Sequence, residues 1–178
     1  QSSKRKGYDV LIFNHPIDSH FVSFVESKEE KMKLVRVDSD SLEKLIDKGE
    51  TNTKLLSEKD ETRLKELTLK VIQDEGIEVI PSPLSVDEPP MNLVQSEFMR
   101  RFKEMSATGA YSMMGDFPSK YQLIININHP IIVKMAGEEN EEKTSKKILH
   151  LFDLARLSQN MLKGEKLTGF INRSMEQL

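Results

Sequence analysis

The closing stretch of the chain holds more apolar surface than one exposed helix face can use. Over roughly Glu139 to Leu162 the pattern is helical, and Ile148, Leu149, Leu151, Phe152, Leu154, Ala155, Leu157, Met161 and Leu162 cover well over half the circumference. A surface helix needs only a stripe of about 100°, so this one has to bury two sides. Gly164 breaks the pattern, and a final helix over about 166–178 carries Leu167, Phe170, Ile171, Ser174 and Leu178 on one side, with Met175 beside them. A lone helix of about a dozen residues is marginal in water, and little chain remains to cover it. Either both helices fold back onto a sheet of their own chain, or a second copy covers them. In the second case two helices from each subunit form an isologous four-helix contact. The interface is then expected on Ile148, Leu151, Phe152, Ala155, Leu167, Phe170, Ile171 and Met175.

Composition narrows the rest. A chain of 178 residues is long enough for one domain, or for a small one attached to part of another, and needs no disulfide or metal to hold a core. With no cysteine, disulfide frameworks, thiolate zinc sites, iron–sulfur clusters and thiol nucleophiles are excluded. Mean hydropathy is -0.48 and no apolar run approaches the length of a membrane span. A net charge of -3 argues against a nucleic-acid partner. No export leader opens the chain, which predicts a cytoplasmic location. The start at Gln1 rather than Met reads as a piece of something larger.

Along the chain, residues 8–13 read as a strand, Ile17, Phe21, Phe24 and Val25 as a helix, and 32–37 as a second strand. Such a βαβ unit cannot stand alone, so residues 1–46 read as the end of an α/β domain. Residues 47–60 read as a linker, and 61–178 as a second domain with a small sheet and mainly C-terminal helices. Ser57 with Asp60 approximates a capping box for a helix bearing Leu64, Leu67 and Val71, stopped at Gly76. Strands are expected over 77–80, 91–95 and 121–127, and a helix over 96–108 followed by a loop. The class is α+β.

Asn14-His15-Pro16-Ile17-Asp18-Ser19-His20 invites a catalytic reading, since it offers Ser, His and Asp together. Triads are assembled from distant segments by geometry rather than by adjacency, and Asp18 or Ser19 is better read as a helix cap. A small α/β enzyme using His15, Asp18 or His20 is the alternative from another class. His129 precedes a proline and fits local turn bonding. Glu138-Glu139-Asn140-Glu141-Glu142 suits the positive end of a helix and lacks the alternation of a calcium loop. The 8 glycines are scattered singly, with no phosphate-binding loop. No catalytic, metal or cofactor site is expected in this chain.

One constellation stands out. Of 9 methionines, five lie between Met91 and Met114, among Phe98, Phe102, Tyr111 and Phe117. Methionine is flexible and polarizable, so a surface rich in it adapts to many apolar partners; an ordinary amphipathic helix with a Met-filled core is the plainer reading.

These residues match a known family in order. Gly7-Tyr8-Asp9-Val10-Leu11-Ile12 through Pro16-Ile17-Asp18 resembles the end of the middle domain of the ninety-kilodalton heat-shock chaperones, most closely the bacterial HtpG type. Leu84-Ser85-Val86-Asp87-Glu88-Pro89 with Leu93-Val94, Met99-Arg100-Arg101-Phe102 with Met113-Met114-Gly115, Ile125-Asn126 with Asn128-His129-Pro130-Ile131, and Leu151-Phe152-Asp153-Leu154-Ala155 resemble further family segments. Ile127 stands where the family has proline, and Lys103 where relatives often have an apolar residue. The resemblance implies a homodimeric, stress-related chaperone whose C-terminal domain contacts unfolded client proteins, with Met99 and Phe102 carried over by position as client contacts; with the Met-rich reading, the expected client-binding set becomes Phe98, Met99, Phe102, Met105, Met113 and Met114. It places ATP, Mg and hydrolysis in the parent protein outside this chain. The end at Gln177-Leu178, without a Met-Glu-Glu-Val-Asp tail, implies no tail-reading co-chaperone. A purely structural dimerisation module is a third reading, with Met99 and Phe102 in its core.

Overall fold

The computed structural model describes residues 9–34 apart from positions 14, 16, 30 and 33, then 53–95 and 120–176. The chain divides into two compact units, Gln1–Lys48 and Gly49–Leu178.

In the first unit the described element is helix α1, Asp18–Lys28. Its N-cap is Ile17, which makes no side-chain cap bond. Asp18, expected as a cap, is instead the first helical residue, and its carboxylate accepts the backbone N–H of His15 at 2.8 Å. The ring of Phe13 lies 6.0 Å from that of Phe21. Residues 9–13 lie outside any strand, contrary to the strand expected over 8–13, and most of the second expected strand, residues 33 and 35–37, lies outside the described residues. The Leu34 N–H donates to the Glu26 carboxylate at 2.9 Å.

The second unit is a mixed α+β fold. Helix α2 is Glu58–Ile72, β1 Ile77–Ser82, β2 Met91–Val94, β3 Tyr121–Asn126, α3 Pro130–Ala136, α4 Glu141–Ser158 and α5 Glu165–Met175. The sheet order is β1-β3-β2, with β1 parallel and β2 antiparallel to the central β3. Ile77 pairs with Tyr121 and Ser82 with Asn126 on one side, Met91 with Ile125 on the other. Pro81, expected to end β1, lies inside it, because an edge strand tolerates a residue without an N–H.

Helix α2 starts as its sequence dictates: the Ser57 hydroxyl oxygen accepts the Asp60 N–H at 3.2 Å, and Glu58, Asp60 and Glu61 occupy the first turn. The helix therefore takes the last three residues of the expected linker. It stops at Gln73, in the left-handed conformation at φ 49°, three residues before Gly76. Side chains alternate across the sheet. Val79, Leu93, Leu123 and Ile125 face a layer formed by Leu64 and Leu67 of α2, Ile132 and Met135 of α3, and Ile148, Leu151, Phe152 and Ala155 of α4. Leu84, Val94 and Ile124 form a smaller cluster of their own.

Helix α3 was not foreseen, although its signals are local. Pro130 occupies the first turn and His129 is the N-cap, its Nδ1 accepting the Ile131 N–H at 3.2 Å. Ile127, at the family's proline position, donates its N–H to Ser82 O at 3.1 Å, a bond proline cannot make. Helix α4 begins after Asn140, whose Oδ1 accepts the Lys143 N–H at 3.0 Å. It ends at Ser158, short of the expected Leu162, because Asn160 turns left-handed at φ 56°. Gly164, at φ 59°, makes the break before α5.

Candidate interaction surface

The junction of α4 and α5 combines buried charge, aromatic contact and exposed apolar side chains. Asp153 is buried on α4 and accepts from the Arg173 guanidinium of α5 at 2.5 Å. A buried carboxylate is tolerated only when paired and hydrogen-bonded, so Arg173 fixes how α5 lies on α4. Phe170 is buried against the same helix, its ring 5.2 Å from that of His150. Arg156 stands over the Phe152 ring at 5.3 Å. Neither periodicity nor spacing marks the Asp153–Arg173 pair, whose members lie 20 residues apart.

The expected interface residues divide. Ile148, Leu151, Phe152 and Ala155 are buried inside one chain, within the core that covers the sheet. They belong to the α4 face turned toward β2 and α2. Phe170 is buried at the α4–α5 junction and Leu167 is half-buried. Ile171 and Met175 remain 47% and 67% exposed. Leu154 and Leu157, left out of the expected interface, are exposed as well; their i, i+3 spacing was the available signal. The residues expected to meet clients, Phe98, Met99, Phe102, Met105, Met113 and Met114, lie outside the described residues.

A second charged junction closes α2, α3 and α4 together. Arg63 of α2 donates to Glu138 O at 2.9 Å. The Glu138 carboxylate accepts from Lys143 at 2.8 Å and from Lys147. Those bonds, that of Lys143 first, hold its pKa down to about 2. Glu142 is held below its usual range by a hydrogen bond from Lys146, whose own pKa is raised by the same contact. Burial lowers the pKa of His129.

The residues behind the enzyme alternative are engaged in starting α1. Asp18 meets His15 through a backbone N–H rather than the imidazole, and the His20 N–H donates to Ile17 O at 3.0 Å. Among the described residues no group of three acidic or histidine side chains is placed to hold a metal ion. The described glycines, Gly76, Gly137, Gly164 and Gly169, sit in separate turns and helices. Among the described residues no helix is long and apolar enough to cross a membrane.

Residues 1–177 match the family described as Hsp90 protein. The chain belongs to the Hsp90 family. Its relatives include the protein named Chaperone protein HtpG of Bacteroides thetaiotaomicron, 29% identical over 99% of this chain and 36% of the relative. A protein of the same name from Porphyromonas gingivalis is 35% identical over 76% of this chain and 20% of the relative. That of Buchnera aphidicola is 29% identical over 88% of the chain and 25% of its own length. The chain spans about a third of the length of the first of these Hsp90 relatives. The Bacteroides alignment runs over 244 positions, so the relative's matched stretch is longer than this chain.

Proposed function

We propose that this chain is the dimerisation and client-contact region of an ATP-dependent chaperone that binds non-native proteins in the cytoplasm. The observation that carries the reading is the Hsp90 match over residues 1–177, with relatives named as chaperones. Residues 1–46 are then the end of a middle domain, 47–60 its linker and 61–178 the dimerisation domain. On this reading ATP and Mg belong to the parent protein's remaining sequence.

The exposed apolar side chains support the dimer part of the reading. Leu154, Leu157, Ile171 and Met175 are the residues of α4 and α5 that their own chain leaves uncovered, and a second copy supplies the missing surface. Holding two copies together raises the effective concentration of the arms they carry, to the order of millimolar. Closure driven elsewhere in the parent becomes intramolecular. The Met- and Phe-rich segment 98–114 supplies weak, adaptable contact to clients, where adaptability matters more than affinity.

Light scattering tests the dimer. The intact chain is expected to be dimeric at micromolar concentration, with at least about 1,200 Å² buried in total. Ile171→Ser with Met175→Ser should yield monomers whose urea unfolding is unchanged within about 0.5 kcal/mol. A dimer that survives this double change places the contact elsewhere, and a monomeric parent chain removes the reading.

A further inference from the structure

The first turn of α3 is closed by a histidine, where most helices use a hydroxyl, an amide or a carboxylate. Pro130 has no N–H to place, and the Val133 N–H donates to His129 O at 3.0 Å. The Ile131 N–H donates to His129 Nδ1 at 3.2 Å. A ring nitrogen that accepts must be bare, so this imidazole is neutral and carries its proton on Nε2. A proton taken up at Nδ1 turns the acceptor into a second donor, and the Ile131 N–H loses its partner. The resulting cation would also face the positive end of the helix.

The surroundings favour the neutral ring. Burial is the cause that lowers the pKa of His129, with no charged group among the described residues contributing. The charges on the elements around it are engaged elsewhere or point to water. Lys54 and Glu61, at the start of α2, pair with each other at 3.1 Å. Arg63 of α2 donates to Glu138 O at 2.9 Å, past the far end of α3. Glu88, buried in the loop between β1 and β2, meets the turn through its backbone O, which accepts from Asn126. Lys134, on α3 itself, is exposed.

The rest of α3 is secured without the ring. Ile132 and Met135 are at most 1% exposed. Ahead of the helix, Asn126 donates from Nδ2 to Ser85 O at 2.7 Å and accepts the Asn128 N–H at 3.1 Å on Oδ1. Amide side chains, the guanidinium of Arg63 and backbone groups do not titrate between about pH 5 and 8, whereas a histidine does.

We propose that His129 is a proton-operated cap: uptake of a proton at Nδ1 releases the Ile131 N–H and opens the first turn of α3, while β3 and the far end of the helix stay closed. The switch stands where the sheet passes into the helical layer, since α3 follows β3 directly and Glu138 ties its far end to α4. With the folded pKa below the ordinary 6.5, the unfolded chain binds more protons between the two values, so stability rises with pH there. The contribution of the cap is complete above about pH 6.5 and is lost as pH falls toward the lowered value. Glu138, at about 2, titrates far below that window.

Ring-nitrogen NMR and amide exchange on the intact chain, from about pH 7.5 down to about 5, test this. At the upper end His129 should show the Nε2–H tautomer. At the lower end the Ile131 amide, normalised to its unstructured rate, should exchange about fivefold faster, the weight of one cap, with the amides of β3 unchanged. Asparagine offers a capping oxygen that does not titrate, so His129→Asn should keep the protection and lose its pH dependence. His129→Ala should lose the protection at both ends of the range. An Nδ1–H tautomer at the upper pH would overturn the proposal. An equal acid response in the unsubstituted chain and in H129N, or β3 opening together with the turn, would do the same.

Discussion

β3 and α5 are both rich in apolar side chains, and the fold treats them oppositely. Leu123, Ile124 and Ile125 are at most 1% exposed, because β3 is flanked by two strands and covered on its faces by separate clusters. Helix α5 buries Phe170 but leaves Ile171 and Met175 largely open. Apolar content sets how much surface has to be hidden; position in the topology decides who hides it. A central strand is enclosed by its own chain. Helix α5, joined to α4 by the Phe170–His150 ring contact and the Arg173–Asp153 ion pair, keeps part of its apolar face open.

The largest expected effect tests the enclosed side. Ile148→Ala removes a fully buried side chain from beneath α4 and should cost about 3–4 kcal/mol in urea unfolding. Ile171→Ala on the open side should stay within about 0.5 kcal/mol for the protomer. Equal losses at the two positions would abolish the contrast. The next effect lies at the boundary between the two regions. Arg173→Ala strands the buried Asp153 carboxylate; with Arg173 partly exposed, water offsets some of the loss, leaving about 1–2 kcal/mol. The change should appear first as faster amide exchange in α5, with β3 unaffected. Loss of protection in β3 at the same rate would make α5 part of the enclosed core.

What sequence could reveal follows from the range of each interaction. Ser57 capping α2, the strand at 121–126 and the break at Gly164 rest on neighbouring residues, and all were legible. Helix α3 escaped because seven residues are too few for a periodic signal, even with His129 and Pro130 marking its start. On α4 the apolar residues nearly encircle the helix, so periodicity could not tell the face toward the sheet, Ile148 and Phe152, from the open one, Leu154 and Leu157. The strand expected at 8–13 failed for the converse reason: β-forming residues suit a strand, but a ladder needs a partner.

A smaller effect compares the two charged junctions. Glu138 fastens α3 to α4 as Asp153 fastens α5, but nearer the solvent and with two lysines. Its folded pKa of about 2 lies below the ordinary 4.5. Between those values the unfolded chain binds more protons, so stability rises with pH through the window. The contribution is complete above about pH 4.5 and is lost as pH falls toward 2. Glu138→Gln should flatten that part of the acid limb, measured as urea midpoints at several pH values. An unchanged limb would show that the lysines contribute nothing to closing the core.

The smallest effect asks whether backbone strain is distributed like the apolar surface. Gln73 ends α2 on the enclosed side at φ 49°, and Asn160 follows α4 on the open side at φ 56°. Left-handed backbone disfavours most side chains but suits asparagine better than glutamine. Glycine relieves that strain while adding freedom to the unfolded chain. Gln73→Gly should therefore gain about 0.5 kcal/mol in urea unfolding, and Asn160→Gly should be close to neutral. Because α2 packs directly on the sheet, the gain at Gln73 should slow exchange in β3 as well. A gain at Asn160 larger than at Gln73 would mean that the α4–α5 turn stores strain the core does not, and that α5 is held less by its ion pair than by the turn leading into it.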